Sequence, residues 1–324
     1  MYATGPPGTG PGWAADSQPL RVQAAGRCMF AGSSPAALDP MLRVYLSDLT
    51  RPYGIALHDD LLRHGDGHSY GDMADVLLPP MLADAGPVDL VVLAFAVHDV
   101  VPGRSTASHL SYLCPGGPMA FAVCDQGAAA PFTGLRLIRD YAQTGACQRA
   151  LLVAAEQSAV PYDGHALAEV PARNAAVAVV CGPAGPAALG YLGQYADVTP
   201  TQAGDLLAGE LDRLAAGRGG VTLVAGNGIA RQTEGPRDPR RRAWVVLPRD
   251  LDVDHVLTAP VGQPCTGVWW ELAGGIDSWA EAGRRILLTD YDPFLRYLCV
   301  CVVDIEASQA GAAPATTRAA QPAR

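Results

Sequence analysis

The sequence predicts an α/β fold assembled from two similar halves. With 49% hydrophobic and 17% charged residues, the chain of 324 residues can bury a large core. Short apolar runs alternate with longer amphipathic segments, which is the pattern of strands that alternate with helices. Segment 127–153 is echoed by segment 262–289, because each joins a glycine-bearing turn to a helical stretch and then to a buried strand. A repeated strand–helix–strand unit is therefore expected in each half.

The first predicted half covers residues 19–185. Uninterrupted apolar runs of four to eight residues are typical of strands buried on both faces, and apolar residues spaced three or four apart are typical of helices. In chain order, we expect a strand at 20–25, a helix at 70–85, a strand at 89–97, a strand–helix–strand unit within 119–155 and a strand at 175–181.

The second predicted half covers residues 186–306 and restarts the pattern. In chain order, we expect a helix at 202–216, strands at 220–225, 242–247 and 255–260, a helix at about 265–282 and strands at 285–290 and 295–305. The two ends of the chain, 1–18 and 307–324, are rich in Gly, Pro and Ala and are predicted to be disordered tails.

Charge and composition exclude several classes of function. The net charge of −9 argues against a general nucleic-acid binder, which normally carries a basic field. The eight cysteines lack the paired spacing of zinc sites and are typical of a reduced, cytoplasmic protein. Residues 1–18 lack the apolar core of a signal peptide, and no apolar run is long enough to span a bilayer. We expect a cytoplasmic protein without membrane contact, cofactor or metal; a metal site at His58, His64 and His68 is less favoured than a helix end followed by a polar loop.

The most informative segment is 118–156. Its strand, small-residue turn, long helix and second strand form the arrangement that presents a nucleophile at a helix N-terminus, where free N–H groups stabilise negative charge. With Phe121-Ala122-Val123 as its strand, it resembles the active-site elbow of the type III ketoacyl synthases of the thiolase superfamily. In that family, the strand and a few small residues precede the nucleophilic cysteine. Counting forward from Phe121 places the nucleophile at Gly127, and counting back from strand 150–153 places it at Ala128. Neither residue can attack a thioester.

The resemblance covers about residues 19–306 and implies a thiolase-like fold with duplicated βαβ halves in αβαβα layers. It also locates the other two members of the family's Cys-His-Asn set. The histidine that follows a strand of the second half corresponds to Ala225, with Asn227 nearby as a candidate hydrogen-bond donor. The asparagine of the second elbow corresponds to Gln263. The glycine-rich C-terminal loop of the family is replaced by bulky and charged residues at 290–296, which would narrow the pocket.

Three residues near the elbow leave alternatives open. Cys124, beside Asp125, is either a displaced nucleophile or a cysteine packed at the end of a strand. Gln126 is similar to the glutamine that replaces the catalytic cysteine in the chain-length factors of polyketide systems, and with the turn shifted by one residue it would point into the cavity and bind a malonyl thioester carbonyl. His98 either reaches a pocket near a dimer interface or forms a capping pair with Asp99.

A basic cluster offers a candidate docking site. Arg237, Arg240, Arg241 and Arg242 lie in a proline-bearing loop of a chain whose net charge is negative. Acyl carrier proteins are acidic, so the cluster is either a carrier-docking patch or a solvated loop.

Together, these features favour a catalytically silent, chain-length-factor-like subunit. It would pair with an active ketosynthase in bacterial polyketide, fatty-acid-type or other secondary-metabolite biosynthesis and would help to dock an acyl carrier protein. The resemblance implies dimerisation through strand 120–123, with segment 100–113 reaching towards the neighbour, and a homodimer remains an option. The alternative is a divergent acyltransferase that moves an acyl group from a carrier protein or CoA to a small acceptor.

Overall fold

The computed structural model describes residues 20–83, 85–162, 169–231, 244–247, 251 and 253–307. Within these residues, strands alternate with helices in both halves of the chain. The first half contains β1 (Arg21–Phe30), α1 (Pro40–Thr50), α2 (Asp59–His64), α3 (Tyr70–Leu82), β2 (Leu90–Ala94), α4 (Thr106–Leu113), β3 (Met119–Val123), α5 (Ala130–Gln143), β4 (Ala150–Glu156) and β5 (Asn174–Gly182). The second half contains β6 (Ala187–Tyr195), α6 (Pro200–Ala215), β7 (Val221–Ala225), β8 (Ile229–Arg231), β9 (Val245–Leu247), β10 (His255–Thr258), α7 (Gly267–Ala280), β11 (Arg284–Asp292) and β12 (Tyr297–Ile305).

The order of the strands shows that the two halves repeat one another. The large sheet runs β10-β7-β11-β12-β6-β1-β5-β4-β2-β3, and β8 pairs separately with β9. Read outward from the centre, β1, β5, β4, β2 and β3 correspond to β6, β12, β11, β7 and β10. The halves meet where Arg21 and Val22 of β1 pair with Ala188 and Ala187 of β6. Because α5 joins β3 to β4 and α7 joins β10 to β11, the predicted duplication of a βαβ unit is confirmed.

Alternating side chains along the strands produce five layers. On β4, Leu152 faces a central cluster that contains α5 and α7, whereas Leu151 faces the cluster around α3. On β11, Leu288 faces the same central cluster, whereas Leu287 faces the cluster around α6. A helix layer therefore covers each outer face, and the two central helices pack between the two five-stranded parts of the large sheet.

The two central helices are in direct contact. Phe132 of α5 and Trp269 of α7 are both fully buried, and their rings meet edge to face with centroids 5.0 Å apart. Such a pair is favourable because the positive edge of one ring approaches the negative face of the other. The contact fixes the distance between the N-terminal ends of α5 and α7, where the candidate site lies.

Most of the predicted elements are present, with three kinds of difference. Strands β6 and β8 and helices α1 and α4 were not predicted, and the strand predicted at 89–97 ends at Ala94. The strand predicted at 242–247 is described only from Val245, and the predicted tails lie almost wholly outside the described residues. No helix in the described part of the chain combines the length and the apolar character needed to cross a membrane.

Candidate functional site

The first elbow lies between β3 and α5. After Val123 the chain turns through Asp125 and Gly127, which both have left-handed backbone conformations with φ of 59° and 51°. A short 3₁₀ turn at Gly127–Ala129 then leads into α5. This geometry brings the first N–H groups of the helical segment to the end of the strand. The arrangement predicted from 118–156 is therefore confirmed as a backbone structure.

Neither nucleophile position carries a reactive side chain, and the helix N-terminus already has a ligand. The backbone N–H of Ala128 donates to Oδ2 of Asp292, which lies at the end of β11, over a distance of 2.9 Å. The other oxygen, Oδ1, accepts from the N–H groups of Phe294 at 3.0 Å and Leu295 at 2.9 Å. Asp292 is only 4% exposed. A carboxylate from the second half thus occupies the anion-stabilising position of the first elbow.

The carboxyl group of Asp292 also lies where a side chain at position 127 would have to be. A Cβ atom built on Gly127 would collide with the carboxyl group of Asp292. The left-handed conformation of Gly127 further disfavours any side chain there. The volume that a side chain at position 127 would need is therefore filled by Asp292.

The second elbow has a carboxylate at the equivalent place. Oε2 of Glu156, at the end of β4, accepts from the backbone N–H groups of Cys265 at 3.0 Å and Thr266 at 3.2 Å. Its Oε1 accepts from the hydroxyl of Thr266 at 2.5 Å. Burial raises the pKa of Glu156 to about 7, although these hydrogen bonds lower it. A residue of the first half thus binds the backbone that leads into the N-terminus of α7.

The side chains of Gln263 and Asn227 form hydrogen bonds within the protein. Gln263 is fully buried, and its Nε2 donates to Oγ1 of Thr266 at 2.9 Å. Asn227 donates from Nδ2 to the carbonyl oxygens of Gln263 at 2.8 Å and Pro260 at 3.2 Å. Its Oδ1 accepts from the N–H of Gly262 at 3.2 Å. Asn227 therefore holds the backbone of the second elbow, while Ala225 is buried at the end of β7 and offers no ionisable group.

A third buried carboxylate, Asp290, stabilises the turn after β7. Its Oδ1 accepts from the N–H groups of Gly228 at 3.2 Å and Tyr291 at 2.8 Å. Burial raises the pKa of Asp290 to about 8, and the nearby charge of Asp292 adds to the effect. The sequence predicts a pocket-narrowing loop that contains Asp290 and Asp292, and Glu156 is not among the predicted site residues. An acidic residue at the end of a buried apolar strand was the available signal in all three cases.

The remaining candidates near the first elbow have local partners. Oε1 of Gln126 accepts a hydrogen bond from the hydroxyl of Thr133, whose oxygen in turn accepts from Nε2 of Gln194 at 2.9 Å. Cys124 is half-buried, and its Sγ donates to Oδ2 of Asp125 at 3.4 Å. Burial raises the pKa of this thiol, and the hydrogen bond and the charge of Asp125 raise it further.

His98 lies on the surface beyond β2. Its ring contacts that of Phe95, with centroids 5.9 Å apart. The neighbouring Asp99 accepts from the N–H groups of Tyr70 and Val101 and from the hydroxyl of Thr106, each at 3.0 Å. Asp99 therefore has a capping role, which is one of the two alternatives predicted for His98 and Asp99. The basic cluster, Arg237, Arg240, Arg241 and Arg242, lies outside the described residues.

Comparisons with known proteins identify the fold. No protein-family model and no curated relative matches the sequence. The solved structure of ChlB3, an acyltransferase, aligns with a TM-score of 0.57 at 15% identity over 89% of this chain and 98% of that one. AbyA1, a tetronic acid condensing enzyme, aligns with a TM-score of 0.55 at 15% identity over 88% and 99% of the two chains. The 3-oxoacyl-(acyl carrier protein) synthase III of Pseudomonas aeruginosa PAO1 aligns with a TM-score of 0.52 at 20% identity over 90% and 99%. The predicted thiolase-like fold of the ketoacyl synthase III type is confirmed.

Proposed function

We propose that this protein, which has the fold of the ketoacyl synthase III-like condensing enzymes, is a catalytically silent subunit that pairs with an active homologue. One observation carries the proposal. At the elbow where an acyl-transferring enzyme of this fold needs a nucleophile, the chain has Gly127 and Ala128, and the N–H of Ala128 is bonded to Asp292. The elbow therefore keeps its shape but lacks the atom that would be acylated.

Acyl transfer through a covalent intermediate needs more than a nucleophile. It needs a group that polarises or protonates the reacting atoms, and donors that stabilise the oxyanion of the tetrahedral intermediate. Ala225 has no such group, and the amide of Gln263 is bonded to Thr266. Loss of all these contributions at once supports a structural role for the subunit better than slow catalysis.

The edge strand β3 supports association with a homologous subunit. It is the outermost strand of the large sheet, and its five residues, Met119–Val123, are all apolar. Met119 is 49% exposed, and Tyr112 of the adjacent α4 is 85% exposed. An edge strand without charge or proline is a template for pairing with another chain. In the resembling family this strand forms the dimer interface, so we propose that β3 pairs with the corresponding strand of the active partner.

The acyltransferase alternative depends on Cys124. Its thiol is half-buried and its pKa is raised, which lowers the fraction of thiolate, the nucleophilic form. That environment favours the silent subunit. The proposal also includes docking of an acyl carrier protein at the arginine cluster 237–242 and a place in polyketide, fatty-acid-type or other secondary-metabolite biosynthesis.

Co-expression with ketosynthase-like proteins encoded beside this chain, followed by native mass spectrometry, tests the proposal. We expect a one-to-one complex in which the partner gains an acyl mass from an acyl thioester and this chain does not. Met119→Asp should break the complex, whereas Val76→Asp on the exposed side of α3 should leave it intact. A homodimer that takes up an acyl mass on its own would overturn the proposal, and loss of that mass in Cys124→Ala would establish the acyltransferase alternative.

A further inference from the structure

The contact between Asp292 and the first elbow joins residues 164 positions apart in the chain. Both carboxylate oxygens of Asp292 are engaged, Oδ2 by Ala128 at 2.9 Å and Oδ1 by the backbone of Phe294 and Leu295. The last two donors belong to the same loop as Asp292, so they hold the side chain in its position. The carboxylate is therefore a fixed ligand of the elbow.

The position of this ligand matters for acyl chemistry. In an elbow of this kind, the N–H groups at the start of the helix are the donors that a developing oxyanion would use. Asp292 takes the N–H of Ala128, and its carboxyl group also fills the volume beside Gly127. One side chain thus blocks both the oxyanion donor and the space for a nucleophile.

We propose that Asp292 is an internal carboxylate ligand that closes the elbow, so that the site is autoinhibited by its own fold as well as lacking a nucleophile. This inference rests on the proposed silent function and specifies how silence is maintained. It follows that a nucleophile restored at position 127 or 128 stays unreactive while Asp292 is present. It also follows that removing the Asp292 side chain leaves a site that accepts a small monocarboxylate.

Reactivity of an introduced thiol tests the closure. In a Cys124→Ala background, peptide mass spectrometry after iodoacetamide labelling separates an Ala128→Cys thiol from the seven buried native cysteines, and because Ala128 is itself buried the rates with and without Asp292 are compared at this one position. A neighbouring carboxylate raises a thiol pKa, and a free helix N-terminus lowers it. Adding Asp292→Gly to Ala128→Cys should therefore raise the alkylation rate at pH 7 by about tenfold or more and move its pH midpoint downward. Equal rates and midpoints with and without Asp292 would overturn the proposal.

Two further variants cover the case in which Asp292→Gly folds poorly. Asp292→Asn keeps the volume of the side chain but removes its charge. Combined with Ala128→Cys, it should lower the pH midpoint of alkylation, while the alkylation rate should stay below that of the Asp292→Gly variant. Asp48→Asn, on the exposed side of α1, is the matched control and should change neither quantity.

Carboxylate rescue gives a readout that needs no introduced thiol. Sodium formate should raise the melting temperature of Asp292→Ala more than sodium chloride of equal ionic strength, and should raise that of the natural chain no more than the chloride does. If formate has no specific effect on the variant, the carboxylate site is not there and the inference fails. Failure of the alkylation test or of the formate test would leave the proposed silent function standing. The natural chain would still lack a nucleophile, and its pairing with a partner is measured separately.

Discussion

Glu156 and Asp292 occupy equivalent positions in the two halves, and each caps the central helix of the other half. Glu156 is the last residue of β4, the strand after α5, and it accepts hydrogen bonds from the two residues that immediately precede α7. Asp292 is the last residue of β11, the strand after α7, and it accepts from Ala128 in the short turn that leads into α5. The duplication of the fold has therefore produced two reciprocal contacts between the halves. Each replaces solvent or substrate at a helix N-terminus with a buried carboxylate.

Glu156 is expected to be the more important of the two caps for stability. Glu156→Ala would leave two buried N–H groups and the hydroxyl of Thr266 without their acceptor, and such losses cost about 2–4 kcal/mol in the free energy of unfolding. Glu156→Gln keeps one acceptor oxygen and should cost less. Urea unfolding followed by tryptophan fluorescence measures both.

Glu306→Ala is the matched control for this prediction. Glu306 pairs with Arg21 at 2.8 Å, but its side chain is 69% exposed, so the loss should stay below about 1 kcal/mol. If Glu156→Ala were no more destabilising than Glu306→Ala, the cap on α7 would not contribute to the free energy of unfolding.

Stability is expected to fall as the pH rises from 6 to 9. An aspartate whose pKa is raised to about 8 in the folded protein binds its proton more tightly there than in the unfolded chain. Its contribution is fully present below the unfolded pKa of about 4 and is lost as the pH rises through the folded value, with a slope of at most about 1.4 kcal/mol per pH unit. Glu156, with a pKa raised to about 7, adds to the loss over the lower part of this range.

Asp290→Asn isolates the contribution of Asp290. The amide keeps the oxygen that accepts from Gly228 and Tyr291 but cannot ionise. Unfolding free energies measured at pH 6, 7, 8 and 9 should decline less steeply for the variant than for the natural chain, because the seven histidines and all other groups are common to both. Parallel curves would mean that Asp290 does not titrate in this range.

The strands that the sequence predicts best are those buried on both faces. β4 and β12 consist almost entirely of apolar residues because helices cover the sheet on either side, and that produces an unbroken apolar run. β6 was missed because it is only partly buried and contains Gly190 and Gly193, which interrupt the apolar pattern. α1 was not predicted because some of its apolar residues, such as Met41 and Val44, are exposed. They obscure the spacing of three or four residues that marks the buried face of a helix.

The location of the candidate site was predictable, but its closure was not. The turn at Gly127 follows from a local pattern of strand, small residues and helix. By contrast, the contact of Asp292 with Ala128 spans 164 residues, and that of Glu156 with Cys265 spans 109. Such contacts depend on how the two halves pack, and nothing in the local sequence of either partner specifies the other.

The packing between the halves is itself open to test at Phe132. Phe132→Ala would leave a cavity against Trp269 in the central helix layer and should cost about 3–5 kcal/mol. Phe294→Ala removes the same side chain from a position that is 46% exposed and should cost less than about 1 kcal/mol. Similar losses in chemical denaturation for the two variants would contradict the assignment of the α5–α7 contact as a core contact.

Cys124 provides the sharpest test between the silent subunit and the acyltransferase alternative. Burial and the hydrogen bond and charge of Asp125 raise its pKa, so at pH 7 iodoacetamide should label it more slowly than a free cysteine. Asp125→Asn should speed the labelling several-fold, because it removes the charge and asparagine tolerates the left-handed conformation of residue 125.

Labelling of Cys124 is resolved by peptide mass spectrometry, since the other seven cysteines are buried, and Asp48→Asn serves as a remote carboxylate control. A Cys124 thiol that reacts faster than free cysteine at pH 7, and slows in Asp125→Asn, would make Asp125 an activating base and would favour catalysis over silence.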